Sequence, residues 1–401
     1  MDQLHNPPPV GIDVGLHRDF TRIVETIPLP NETLISIFCG LPASALTALA
    51  CVCRHWRAIA EWILYSNVLI TESLSPTYPF PYRTLRCCQT ILHRPSLASG
   101  VKKFHVRWIS EGRGSYGPFL DVIFSTISQV IGRIANVESL ELHLGVPSFE
   151  EDPPFNPLTF PTLRSSPFLR YISLQGIGRH PANHLASFLN VMPSVSHLRL
   201  PDYRDQILVL AHALPSLTYF CGSPRAAATV LPGRPVQSLA LIGQDYVTEA
   251  DLSHMALTSL PLSVLDLSAM SVTPILLRNV SRSLPTVEFL KVKLALRHTL
   301  HFALSGIRLL AALSHLLGAF HRLSTLDLSP THVDNVSVGN SAEELSLCQS
   351  WHNACPSLRQ IIFPSQTEWL FREDNSVWTA SIQETSKRRP AFYASKKMGG
   401  P

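Results

Sequence analysis

The chain has 401 residues, of which 45% are hydrophobic and 15% charged, and its net charge is +4. So apolar a sequence must bury most of itself in folded cores, which excludes a largely disordered protein. The length allows two or three domains, and so small a charge gives no reason to expect a nucleic-acid partner.

The amino terminus, MDQLHNPPPVGIDVG, has no basic region followed by an apolar run, so residues 1–25 read as a flexible lead-in and not as a signal peptide. No stretch of about twenty apolar residues is free of charge. The longest candidate, Leu309 to Phe320, is short and flanked by Arg308 and Arg322. A non-membrane protein of the cytoplasm, the nucleus or both is therefore expected. The 8 cysteines then read as free thiols.

Residues 26–70 form the first element, an all-α module. Leu29-Pro30 stiffens its entrance, since proline fixes φ. Leu34, Ile35, Phe38 and Leu41 recur at helical spacing, and Gly40 with Pro42 stops that helix. Ser44 is placed to cap a second helical stretch carrying Leu46, Leu49, Ala50, Val52 and Cys53. Trp56, Ile59, Ala60, Ile63 and Leu64 continue the apolar pattern. About forty residues cannot bury that much apolar surface by themselves, so a partner surface is implied.

This segment resembles the F-box, the motif that docks onto the Skp adaptor of cullin–RING ubiquitin ligases. The resemblance lies in Leu29-Pro30-x-Glu32-x-Leu34-Ile35-x-Ile37-Phe38, then Leu46, then Val52-Cys53-Arg54-x-Trp56-Arg57, with Ala58-Ile59-Ala60 and Leu64-Tyr65-x-x-Val68 behind. The family often has an acidic residue where Ala45 stands and a Trp where Tyr65 stands. The resemblance implies adaptor contacts at Leu29, Pro30, Leu34, Ile35, Phe38, Val52, Cys53 and Trp56.

Residues 71–100, beginning with a Pro- and Tyr-rich run, read as a connector and a first helical segment. From 101 to 372 one pattern returns: apolar, two residues, apolar, one residue, apolar. It starts at Val101, Val137, Leu169, Val195, Val236, Leu262, Val287, Leu323 and Leu358, with a weaker copy at Leu217. The last two apolar positions differ by two, as one buried face of a strand requires. Starts lie 19 to 36 residues apart, with helical segments between. Proline precedes several copies, as in Met192-Pro193 and Cys355-Pro356, and ends the helix before the strand. The region resembles the irregular leucine-rich-repeat domains often found behind an F-box. The fold class expected is α/β: an all-α F-box module followed by an irregular leucine-rich-repeat solenoid.

Residues alternating with the buried ones fall on the open, concave sheet face. His105, Arg107, His143, Tyr171, Gln175, Arg199, Tyr219, Asp266, Lys291, Lys293 and Asp327 are the candidate target-binding residues, since aromatic and Arg anchors dominate interfaces.

Two motifs suggest other chemistry. Gly112 to Gly117 fits G-x-G-x-x-G, but the strand before it is charged and Pro118 follows the last glycine, so it reads as an inter-repeat loop. Cys348, His352 and Cys355 share a helix face, but a structural zinc needs a fourth ligand and none stands nearby. No nucleophile elbow, zincin or phosphate-loop string occurs. No enzyme, no metal and no cofactor are expected. Residues 373–401, with Lys387-Arg388-Arg389 and Lys396-Lys397, read as a basic disordered tail that also fits a nuclear signal.

The sequence thus points to a substrate-recognition subunit of an SCF-type ubiquitin ligase, bound to the Skp adaptor, through it to cullin, and to an unidentified target protein. The alternative is a non-catalytic scaffold whose helical hairpin caps the solenoid.

Overall fold

The computed structural model describes residues 29–75, 78, 80–110, 117–144, 166–176, 182–243, 246–295, 306–331 and 341–382. Gly112 to Tyr116 and the basic residues beyond 382 lie outside the described residues. The chain divides into two compact units, Met1–Ile63 and Leu64–Pro401.

The first unit is built on helices α1 (Asn31–Cys39), α2 (Ala43–Leu49) and α3, whose span Arg54–Ser66 runs past its end. Pro30 is the N-cap of α1, with φ −54° and ψ 148°, and its carbonyl accepts from the amides of Thr33 and Leu34. Pro42 repeats this for α2, accepting from Ala45 and Leu46. The capping role expected of Ser44 is therefore corrected. Proline's fixed φ and extended ψ already supply the cap geometry, and Ser44 lies in the first turn, its carbonyl accepting from Thr47 Oγ1 at 2.7 Å.

The second unit carries a 13-stranded sheet whose spatial order is the sequence order. Its strands are β1 (Asn67–Leu74), β2 (Lys103–Ser110), β3 (Ser139–Leu144), β4 (Tyr171–Gln175), β5 (His197–Leu200), β6 (Tyr219–Gly222) and β7 (Ser238–Ile242). They continue as β8 (Val264–Val272), β9 (Phe289–Leu294), β10 (Thr325–Asp327), β11 (Gln360–Ile362), β12 (Thr367–Arg372) and β13 (Val377–Ile382). Strands β1 to β11 pair parallel, and β12 and β13 turn back antiparallel. The ten pattern copies are β2 to β11. Their middle apolar residues sit in one register row, including Phe104, Leu140, Ile172, Leu198, Phe220 and Leu239, all buried.

A backbone ladder runs beneath the strand starts. The carbonyls of Lys102, Glu138, Arg170, Ser196, Thr218, Gln237, Ser263, Glu288 and Ser324 each accept two amides from the next repeat. Each repeat thereby satisfies its predecessor's polar backbone, as a solenoid with no water in its core requires. The weak copy at Leu217 has a packing reason. Gly222 stands where other copies have an apolar side chain, and a Cβ there would come 3.0 Å from the Phe220 ring. The larger Phe220 takes up the space.

Three expectations are corrected at the ends. Residues 67–74, read as the end of the helical module and the start of a connector, form β1, pairing Val68 with Phe104 and Ile70 with Val106. The connector's helical part is present as Tyr82–His93 and Pro95–Gly100. The tail was expected to begin at 373, but Val377–Ile382 is β13, and Trp378 and Trp369 close the core at that end. The buried Glu344, on helix Ser341–Ala354, anchors this hairpin by accepting from Trp369 Nε1 at 2.8 Å and Ser365 Oγ at 2.6 Å. The apolar run at Leu309 begins in a 3-10 helix, Gly306–Leu313, before the short α-helix Ser314–Leu317. Among the described residues no helix is long and apolar enough to cross a membrane.

Candidate interaction surfaces

The helical module sorts its apolar residues into two sets. Phe38 is 3% exposed and meets Trp56 edge-on at 5.7 Å between ring centroids. Leu34, Leu46, Ile59 and Ala60 are buried with it. Leu34 and Phe38, expected among the adaptor contacts, are interior positions in the free protein. Leu29, Pro30, Val52 and Cys53 are exposed, and Ile35 and Trp56 are partly so.

The Val52-Cys53-Arg54-x-Trp56-Arg57 string has local roles in the module. The Cys53 sulfur accepts from the Trp56 amide at 3.4 Å, capping α3, and Arg57 Nε donates to the Ala50 carbonyl at 3.0 Å, tying α3 to the end of α2. Two surface residues were missed as contacts: Ile37, 51% exposed, and Leu41. With Leu29 and Val52, itself 62% exposed, they make an apolar set that a folded domain does not leave in water without cost. Their signal was present in the sequence as apolar residues filling more of α1 than one buried stripe needs.

The sequence profile of F-box-like domains matches residues 28–71. The helical module is an F-box-like domain. No curated protein matches the chain. Among solved structures, it is similar to the leucine-rich repeat-containing protein LegL7 from Legionella pneumophila, at 17% identity, covering 85% of this chain and 90% of that one with a TM-score of 0.37. The repeat architecture behind the F-box-like domain stands on its own strand register.

The open sheet face carries three register rows, the last of them Arg107, His143 and Gln175. One runs Lys103, Ser139, Tyr171, His197, Tyr219, and the next runs His105, Glu141, Ser173, Arg199, Cys221. At the β2–β3 end the charges answer each other. Arg107 pairs with Glu141 at 2.9 Å, and the rings of His143 and His105 approach the same carboxylate at 3.5 and 3.9 Å. His105 also bonds Ser139 Oγ, and His143 bonds Ser173 Oγ. Burial holds both histidines below their usual pKa, although Glu141 pulls the other way. In the middle, Tyr171, His197 and Tyr219 form a ring ladder with centroid spacings of 6.3 and 5.7 Å, and burial again favours neutral His197.

Toward β10, Lys291 pairs with Asp327 at 3.2 Å. Asp327, expected to meet a target, is buried and also accepts from the Ser329 amide. Asp266 is occupied by the Ser268 amide, Gln175 is exposed, and Lys293 lines a cavity of about 450 Å³ with Tyr246, Met270 and Asn279. That cavity lies beside the register shift in β8, where Leu267 pairs with Val292 but Val272 with Leu294. The extra residues bulge out of the ladder, and no periodic pattern marks them in the sequence.

Cys348 and Cys355 point into the core, the Cys355 thiol donating to the Phe320 carbonyl at 3.4 Å. His352 stacks on Phe371 at 4.2 Å. The helix ends at Ala354, so Cys355 lies just past it and the shared helix face expected of the three residues is corrected; Cys348 and His352 pack against the repeat and the C-terminal hairpin. The two surfaces are of the kind interaction modules use, and the protein is an interaction adaptor by construction: an F-box-like domain and a repeat sheet.

Proposed function

We propose that this protein is the target-recruiting subunit of an SCF-type cullin–RING ubiquitin ligase. The F-box-like domain holds the Skp adaptor, and through it cullin, by an apolar surface. The open face of the repeat sheet holds the target. The protein contributes proximity, raising the effective concentration of a target lysine, and carries out no bond chemistry itself. The observation that supports this reading is the exposed set Leu29, Ile37, Leu41 and Val52 on a module whose own core is already filled by Leu34, Phe38 and Leu46.

The scaffold alternative needs the helical hairpin to cover the first pattern copy. Within the repeat unit that copy already has cover, since β1 places Val68 against Phe104 and Ile70 against Val106. The deciding experiment is co-elution of the full chain with a purified Skp adaptor in size-exclusion chromatography, beside an Ile37→Asp/Val52→Asp double variant. One stoichiometric peak for the natural chain, lost in the variant with its melting temperature unchanged, is the expected result. A folded chain that ignores the adaptor sinks the proposal.

A further inference from the structure

Arg199, in the middle of the open face, is a charge with no anionic partner among the described residues. It is half-buried, its guanidinium hydrogen-bonds Tyr171 and Cys221 and faces Tyr219, and its Nε alone is buried with no hydrogen-bond partner. Among the described residues no carboxylate forms an ion pair with it. Arg107 has Glu141, Lys291 has Asp327, Asp202 accepts from the Gly176 amide, and Asp266 accepts from the Ser268 amide. A guanidinium partly withdrawn from water is costly to leave without an anion.

The surroundings have a shape. Ser173 and Cys221, the register partners of Arg199 on either side, are small and buried. The adjoining row holds the larger Tyr171, His197 and Tyr219 rings. A low floor with one cation therefore runs beside an aromatic wall.

We propose that this depression is the recognition subsite for one Asp or Glu side chain of an extended target segment, bound by Arg199, with the ring ladder covering the segment's apolar neighbour. This deepens the recruiter reading and rests on it for its biological setting. The charge count favours a carboxylate over a phosphate. A phosphate bears nearly two negative charges, and such sites gather several cations. Here the neighbouring His197 and His143 are kept neutral by burial. Lys103 stands three strands away, about 14 Å at ordinary strand spacing. Arginine's planar fork suits a carboxylate where lysine's point charge does not.

The test is an array of twelve-residue peptides with randomised flanks and a fixed centre of Glu, Gln, Lys or phosphoserine, probed with the labelled full chain. The expected result is selection of Glu-centred peptides, at least about tenfold over their Gln counterparts. That preference disappears in Arg199→Gln and falls several-fold in Arg199→Lys, which keeps the charge and loses the fork. The conservative variant also serves if Arg199→Gln fails to fold. An empty selection, a selection indifferent to charge, a preference that survives both variants, or a preference for phosphoserine overturns the proposal. Adaptor co-elution of the same preparations is scored separately. Loss of peptide preference with adaptor binding intact removes the subsite alone, and the converse removes the recruiter reading alone.

Discussion

The two units handle exposed surface in opposite ways. The F-box-like domain leaves large apolar side chains in water, Ile37 and Val52 foremost, over a small finished core. The sheet face presents mainly polar and aromatic side chains between β2 and β6, with Ile109 exposed at the edge, and several of its charges answer each other, from Arg107 and Glu141 to Lys291 and Asp327. Apolar exposure suits a partner that is always the same, because burial of area is strong and undemanding of detail. A face of paired charges suits selectivity. A wrong partner must break pairs already made, whereas a group that fits the half-buried Arg199 gains.

Adjacent residues of α1 sharpen this contrast most. Phe38→Ala empties the module's core and should cost about 3 kcal/mol or more, read as loss of the first thermal transition. Ile37→Ala should leave that transition within about 0.5 kcal/mol while weakening adaptor co-elution. Equal melting of the two variants would break the division into interior and surface. On the sheet, Lys291→Met strands the buried Asp327 and should cost about 3 kcal/mol in urea unfolding. Adding Asp327→Leu should restore most of that loss, as expected of a pair kept for arrangement and not for strength. Arg57→Ala removes the bond to the Ala50 carbonyl and should cost about 1 kcal/mol by thermal melt.

The smallest effect is set by pH. Burial lowers the pKa of His105, His143 and His197 below the ordinary 6.5, against a background that includes Glu141, Arg107, Lys103, Arg199 and Asp202. The unfolded chain then binds more protons than the folded one below 6.5, so stability is fully present above that pH and falls as pH drops beneath it. The urea midpoint should stay flat from pH 8 to 7 and decline below about 6.5. A triple His→Gln variant should flatten that decline.

Most of the repeat fold was legible because the pattern reports two constraints at once, burial and strand alternation. Every copy became a strand, Leu217 included. The sheet's two ends were not legible. At β1 the spacing is present, as Tyr65-x-x-Val68-x-Ile70, but those residues read equally as the end of the helical module. In β12 and β13 the strands pair antiparallel and obey a different rule. The exposed apolar set of the module was half legible. In a nine-residue helix with Leu34, Ile35, Ile37 and Phe38 all apolar, periodicity marks the helix but not which side the rest of the module covers. Arg199 was placed on the right face, but its lack of a partner depends on which carboxylates three strands away are already engaged.

The backbone ladder beneath the strand starts also fixes a ruler. Parallel strands stand about 4.8 Å apart, and an extended chain advances about 3.3 Å per residue. A segment laid across the strands therefore meets two strand spacings, ~9.6 Å, with three of its own residues, ~9.9 Å. Tyr171 on β4 and Tyr219 on β6 are two strands apart, with Arg199 on the strand between. A sequence read there would carry its determinants at a stride of three, a periodicity to look for in any candidate target before its structure is known.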